Sequence, residues 1–273
     1  MYRWPQVPLS SLLYLSDVEQ HASLVVAQPF VCSVTESDSI IETFEMPEGY
    51  TKATAWLQIH SLLNSINHML IFLVAVFFFI LARSLEFKDT AMHMFMTGTG
   101  FHVLIAQAMM SHSKVNPLTR WLSHRNKSRF HAILQIVGGS MVLLGSLGKF
   151  SSKEVHFNTW HGRVGGAASF FCAASIVGGF VNYFQPKIAL KVMPPSELRF
   201  RHNLFGLVTF TLGMGAIYLG YYSKFFTKYV DTDFIPGMML ITGIVYGLTI
   251  IAPVSSLLTK LKYRSKRKAE QAQ

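Results

Sequence analysis

Six apolar runs, each about as long as a bilayer-crossing helix, leave this chain few ways to fold. They extend from about Trp56 to Ala82, Ala91 to Ser111, Phe130 to Leu147, Thr159 to Asn182, Phe200 to Tyr222 and Pro236 to Leu258. A hydrocarbon core about 30 Å thick needs roughly 20 apolar residues in an α-helix. Backbone polar groups in lipid must be satisfied within the element itself, which selects helices for runs of this length. The expectation is an all-α integral membrane protein, a bundle of six transmembrane helices. Composition agrees: 51% of residues are hydrophobic and only 14% charged, where a soluble domain carries about 25%. The formal charge of +10 collects in connections and tail, which is the pattern of a topology signal and not of a nucleic-acid footprint. Nucleic acid is therefore not an expected partner. The two cysteines, Cys32 and Cys172, fall in the head and in an apolar run and form no metal-type motif.

Three parts follow from this pattern. Residues 1–55 form an acidic head, with Asp17, Glu19, Glu36, Asp38, Glu42, Glu45 and Glu48 against Arg3 and Lys52, expected to be largely irregular. Its early apolar stretches are broken by Pro5, Pro8, Asp17 and Glu19 and lack a basic start, so no cleaved signal peptide is expected. Residues 56–259 form the six-helix domain and 260–273 a basic tail. Six crossings put both termini on one side. The loops after the second and fourth runs, together with the tail, hold fifteen Lys and Arg against six in the opposite loops. The positive-inside rule then makes both termini cytosolic. The Asn126-Lys127-Ser128 sequon faces the cytosol on this topology and is not expected to be used.

Four histidines organise the interior. His93, His131, His161 and His202 each stand near the start of one of four consecutive runs, 38, 30 and 41 residues apart. In a chain that crosses back and forth, alternate helices start on the same side. His93 and His161 then share one face, His131 and His202 the other. An ionisable side chain inside a bilayer is costly without a partner, and an iron gripped by two imidazoles satisfies two of them at once. A local hydrogen bond at a helix end explains any one of these histidines. Matching placement in four successive helices favours two haem b groups, each bis-histidine ligated, in a four-helix di-haem core. The second run covers roughly 27 Å from His93 to Ser111, which leaves the irons about 20 Å apart. Six-coordinate iron suits electron passage more than oxygen activation. Small residues on the ligand faces (Thr97, Gly100, Gly138, Gly165, Ala168 and Gly206) are expected to admit the porphyrin edge, and close helix packing explains the same glycines equally well.

The run from Ala91 to Tyr222 resembles the core of the cytochrome b561 family, the six-helix transmembrane ascorbate-dependent oxidoreductases, in its animal branch with a bare core. The matching pieces are Met92-His93, Arg129-Phe130-His131 through Gln135, Trp160-His161-Gly162-Arg163-Val164-Gly165, and Arg201-His202 through Gly206. The resemblance implies that the second and fourth helices hold one haem and the third and fifth the other. It also implies electron transfer from cytosolic ascorbate to monodehydroascorbate or ferric iron on the non-cytosolic side. Methionines flank His93, where the family often carries an aromatic or proline context.

Ascorbate is an anion. Arg125, Lys127 and Arg129 precede His131, and Arg199 and Arg201 approach from the next loop. They are candidates for an electropositive funnel, and the resemblance implies ascorbate binding there; topology alone predicts the same charges as anchors. On the opposite face His156 follows Lys149 and Lys153 and is a candidate contact for the acceptor or for proton transfer, a solvated loop residue being the alternative. His60, His68 and His102 are expected to bond to haem propionates or to one another, and His112 and His124 carry no assigned role. No catalytic side chain is assigned apart from these. Expected partners are ascorbate, ferric chelates or monodehydroascorbate, and the bilayer, with a homodimer left open. An endomembrane or vesicle membrane is favoured over the plasma membrane. The rival function is a histidine-containing transporter or channel without haem, which needs a water-lined path that the scarcity of charge in the runs disfavours.

Overall fold

The computed structural model describes residues 48–185 and 187–272, all helices and short connections. The expected irregular head lies outside those residues except for its last stretch, where α1 (Glu48–Ser84) begins well before Trp56. The described residues fall into two units, one holding the start of α1 up to Ile59 and the other beginning at His60. The elements after α1 are α2 (Asp89–Gly98), a π-helix π1 (Thr99–Ile105), α3 (Ala106–Met110), α4 (His124–Ser151), α5 (Trp160–Phe184), α6 (Lys187–Val192), α7 (Pro195–Gly220), α8 (Lys224–Tyr229) and α9 (Ile235–Ala272).

Among the described residues, five helices are long and apolar enough to span a membrane: Ala55–Ser84, His124–Ser151, Trp160–Phe184, Pro195–Gly220 and Ile235–Lys266. The protein is an all-α multi-pass membrane protein. The second apolar run is an unbroken helical path from Asp89 to Met110 in three geometries, α2, π1 and α3. The wider π turns coincide with a close helix crossing. A β-carbon on Gly100 would stand 2.8 Å from the Gly138 carbonyl oxygen, and one on Gly138 would stand 3.2 Å from that of Gly100. The two backbones touch there, as small residues allow in lipid.

Helix starts are set by local chemistry. Ser123 caps α4 by accepting the Asn126 N–H, Thr159 caps α5 by accepting that of Gly162 at 3.1 Å, and Pro195 opens α7. The central cluster of unit two joins Ile71, Phe101, Val142, Ala168, Phe210 and Val245 from six successive runs. Outward-facing Phe72, Leu73, Leu144, Phe170 and Leu240 are exposed, as expected of side chains that meet lipid tails rather than water.

Candidate functional site

α4 runs antiparallel to the α2–α3 path, and α5 packs along α7. The starts of α2 and α5 therefore meet at one end of the bundle and those of α4 and α7 at the other. Their histidines meet too. The ring centres of His93 and His161 are 6.1 Å apart at an interplanar angle of 87°; those of His131 and His202 are 6.1 Å apart at 82°.

Three of these imidazoles are held the same way. Nδ1 lies 2.9 Å from a carbonyl oxygen of a neighbouring helix: Gly145 for His93, Ala108 for His131 and Ala216 for His161. A carbonyl accepts, so Nδ1 carries the proton and Nε2 is left with its lone pair. That is the tautomer a metal needs, oriented by a backbone group that side-chain motion cannot remove. Nδ1 of His202 is buried without a hydrogen-bond partner, as is Oδ1 of Asn182. The His202 ring rests against Gly179 of α5, where an added β-carbon would stand 3.4 Å from Cε1. On α5, Asn182 follows Gly179 by three residues and shares its face.

The pairs fit haem iron. Two imidazoles bound end-on through Nε2, at about 2 Å per metal–nitrogen bond, place their ring centres about 6.3 Å apart, against 6.1 Å in each pair. Space beside the pairs is uneven. A β-carbon on Gly206 would meet nothing within 4 Å, and one on Gly165 only the Ala216 methyl at 3.9 Å. Both sites leave room for a flat ligand. Gly100 and Gly138 do not, since their missing side chains are used by the helix crossing itself. Among the described residues no group of three or more His, Cys, Asp or Glu could hold a metal ion, which leaves the two-histidine pairs as the candidate centres.

The levels of the two pairs can be read along the helices. On α4, His131 and the Gly145 carbonyl that holds His93 are 14 residues apart, and on α7 so are His202 and the Ala216 carbonyl that holds His161. Each step corresponds to about 21 Å along an α-helix.

The basic residues nominated beside His131 divide. Arg125 and Arg129 are exposed, whereas Lys127 is 8% exposed and its Nζ donates to the Ser113 carbonyl at 3.3 Å. Lys127 ties the loop before α4 in place. His112 and His124 are drawn to this end: the ring of His112 is 5.3 Å from that of His131 and 5.7 Å from that of His124. Desolvation on its packed side, followed by His131, His124 and Lys127, lowers the pKa of His112 to about 4, so it adds no positive charge at neutral pH. At the other end His156 stacks on Phe150, 3.7 Å between ring centres and 13° between planes, and Lys149 donates to Thr90 Oγ1 at 2.7 Å. Phe157, at φ 55°, offers its carbonyl to Arg163 Nε and lays its ring over Gly166.

One further expectation changes. His68 bonds to neither a histidine nor a site group: its Nδ1 accepts from Gln107 Nε2 at 2.9 Å and its Nε2 donates to Asn116 Oδ1 at 3.0 Å. His102, in π1, is fully buried with both ring nitrogens unpartnered, its ring meeting the edge of Phe78. Sequence reasoning also missed the end of α9. Glu197 at the start of α7 pairs with Arg201 at 2.9 Å and with Arg264 of α9, whose guanidinium lies 3.8 Å from the Phe200 ring centre. Basic residues after an apolar run read as a solvated tail until the helix is seen to continue.

Residues 92–227 match the family model described as eukaryotic cytochrome b561. The chain is 31% identical over 166 residues to the transmembrane reductase CYB561D2 of Bos taurus, an alignment covering 59% of this chain and 69% of that protein. Its counterparts in Mus musculus and Homo sapiens are 28% and 29% identical over the same length, with the same shares covered. No solved structure matches the chain.

Proposed function

The chain belongs to the cytochrome b561 family, and from that premise we propose that it is a transmembrane ascorbate-dependent oxidoreductase. It passes electrons from cytosolic ascorbate to ferric chelates or monodehydroascorbate on the non-cytosolic side. The relatives named transmembrane reductases support a redox role. The observation that carries the reading is the doubled histidine pair, 6.1 Å between rings at two levels of the bundle, with three Nδ1 atoms already committed to backbone carbonyls. A buried histidine in a packing role also satisfies its Nδ1, but it does not ask for a second imidazole facing it at each of two levels.

In this reading His131 and His202 hold the cytosolic haem b, His93 and His161 the non-cytosolic one, and the α2–π1–α3 path counts as the sixth crossing. The bound groups supply reversible one-electron chemistry at iron. The chain supplies the rest. Its four helices fix two centres about 21 Å apart, close enough for transfer because the porphyrin edges approach further than the irons. Carbonyl-anchored Nδ1 protons hold the His93, His131 and His161 rings against rotation. Exposed Arg125 and Arg129 attract an anionic donor to one mouth, and the His156–Phe150 stack offers a flat docking face at the other.

Detergent-purified protein is expected to be red, with a Soret band and about two protoporphyrins per chain. His131→Ala or His202→Ala should each remove one haem and abolish reduction by ascorbate. A colourless, folded preparation would sink the proposal. So would full haem content in both variants.

A further inference from the structure

The two mouths lie at the ends of helices two to five, and the structure brings α9 to one of them. Near His202, at the start of α7, Glu197 binds Arg201 and Arg264, and Arg264 stacks on Phe200. Asn203, with its amide oriented to satisfy both neighbours, donates to the Arg199 carbonyl at 3.1 Å and accepts from Lys260 Nζ at 2.7 Å. An ion pair, a cation–π contact and an amide bridge thus clamp the end of α9 onto α7. The clamp holds Lys260 and the Arg199 carbonyl on the two sides of the Asn203 amide, one residue from His202.

The charge count is unbalanced. Glu197 is shared between Arg201 and Arg264, and among the described residues no carboxylate pairs with Arg199 or Lys260. Lys260 is only partly exposed, so water screens it incompletely, and an amide oxygen satisfies one of its three donors. Cations held this way, unpaired and mutually repelling, form a site that gains free energy by taking an anion with several oxygen acceptors. Lys260 lies beyond the residues 92–227 matched by the family, so family membership does not assign it.

We propose that Lys260, with Arg199, forms an oxyanion-docking site of the His131–His202 mouth, and that its occupant is the enediolate of the anionic electron donor. This rests on the donor reading above. The sixth run is then part of the donor site and not a peripheral brace.

The test uses the full-length haem-loaded protein in phosphatidylcholine vesicles, with stopped-flow reduction by ascorbate. Lys260→Gln is expected to raise the ascorbate KM about 5- to 10-fold with kcat nearly unchanged. Lys260→Arg should restore it, and Arg199→Gln should add to the loss. Haem content and both midpoint potentials should stay put, and reduction by an uncharged p-phenylenediamine donor should be unaffected. An unchanged KM in Lys260→Gln overturns the inference. A fallen midpoint potential or haem loss at unchanged KM also overturns it, because the cation then serves a porphyrin carboxylate. So does a KM effect seen only when phosphatidylserine is added, which would mark a lipid headgroup as the occupant. If the wild-type protein accepts electrons from the uncharged donor but not from ascorbate, the donor reading itself fails and takes this inference with it.

Discussion

An imidazole that is to grip iron must offer one nitrogen and occupy the other, and the four histidines meet that demand unequally. For His93, His131 and His161 a carbonyl across the helix interface holds Nδ1. His202 lacks such a carbonyl, and a buried unpartnered Asn182 Oδ1 lies one turn from its packing glycine. An unpartnered acceptor thus stands on the α5 face that meets the His202 ring. Groups that orient a metal ligand in this way are commonly worth about 10-fold or more in metal affinity. Asn182→Leu should loosen the His131–His202 haem by about that factor and raise its midpoint potential, because a less basic imidazole favours ferrous iron. Asn182→Asp should lower the potential. A redox titration resolving the two haems decides the matter, and two unmoved midpoints in both variants would remove Asn182 from the site. The pairing of the histidines was legible in the sequence because helix parity is coarse: any six antiparallel runs put alternate starts together. The second acceptor was not, since one asparagine among many polar residues acquires meaning only from what it fails to bond.

Of the four histidines only His161 stands in the first turn of its helix, the others lying five to eight residues in, so a helix start bears most directly on the His93–His161 pair. His161 is the second residue of α5, directly behind the cap in which Thr159 Oγ1 accepts the Gly162 N–H at 3.1 Å. Removing such a cap costs about 1 kcal/mol, concentrated in the turn it closes. Thr159→Ala should therefore shorten haem residence at the His93–His161 site several-fold while sparing the other, and Thr159→Ser should not. Haem transfer to apomyoglobin, followed by absorbance, measures both. Equal loss rates from the two sites would show that the cap does not control the ligand. The sequence does carry the cap's signal, Asn158-Thr159 ahead of an apolar run. It carries none for the π-helix, because an apolar stretch has no feature that separates i+4 from i+5 bonding. Nor could sequence separate glycines that leave space, such as Gly165 and Gly206, from Gly100 and Gly138, where two backbones touch. A missing side chain looks the same whether a ligand or a neighbouring helix takes its place.

At the scale of the molecule, the separation of the two centres has an electrical consequence. The 14-residue steps on α4 and α7 set their levels about 21 Å apart, roughly two-thirds of a 30 Å hydrocarbon core. Moving one electron across a full membrane potential of 100 mV changes its free energy by about 2.3 kcal/mol. Two-thirds of that is about 1.5 kcal/mol, close to a tenfold change in how the electron divides between the two sites. The sign follows from the proposed direction: a cytosolic side held negative drives the electron outward and raises the reduced fraction of the His93–His161 centre. Vesicles with ascorbate on one side and ferric chelate on the other, poised with valinomycin and a potassium gradient, should show acceptor reduction rising when the ascorbate side is negative and falling when the gradient is reversed. The head and tail need not take part, because the span between ligand levels lies within α4 and α7. Two centres at one depth would carry the electron along the membrane plane and feel no such field. A rate indifferent to the sign of the potential would therefore remove the transmembrane path while leaving the haem pairs in place.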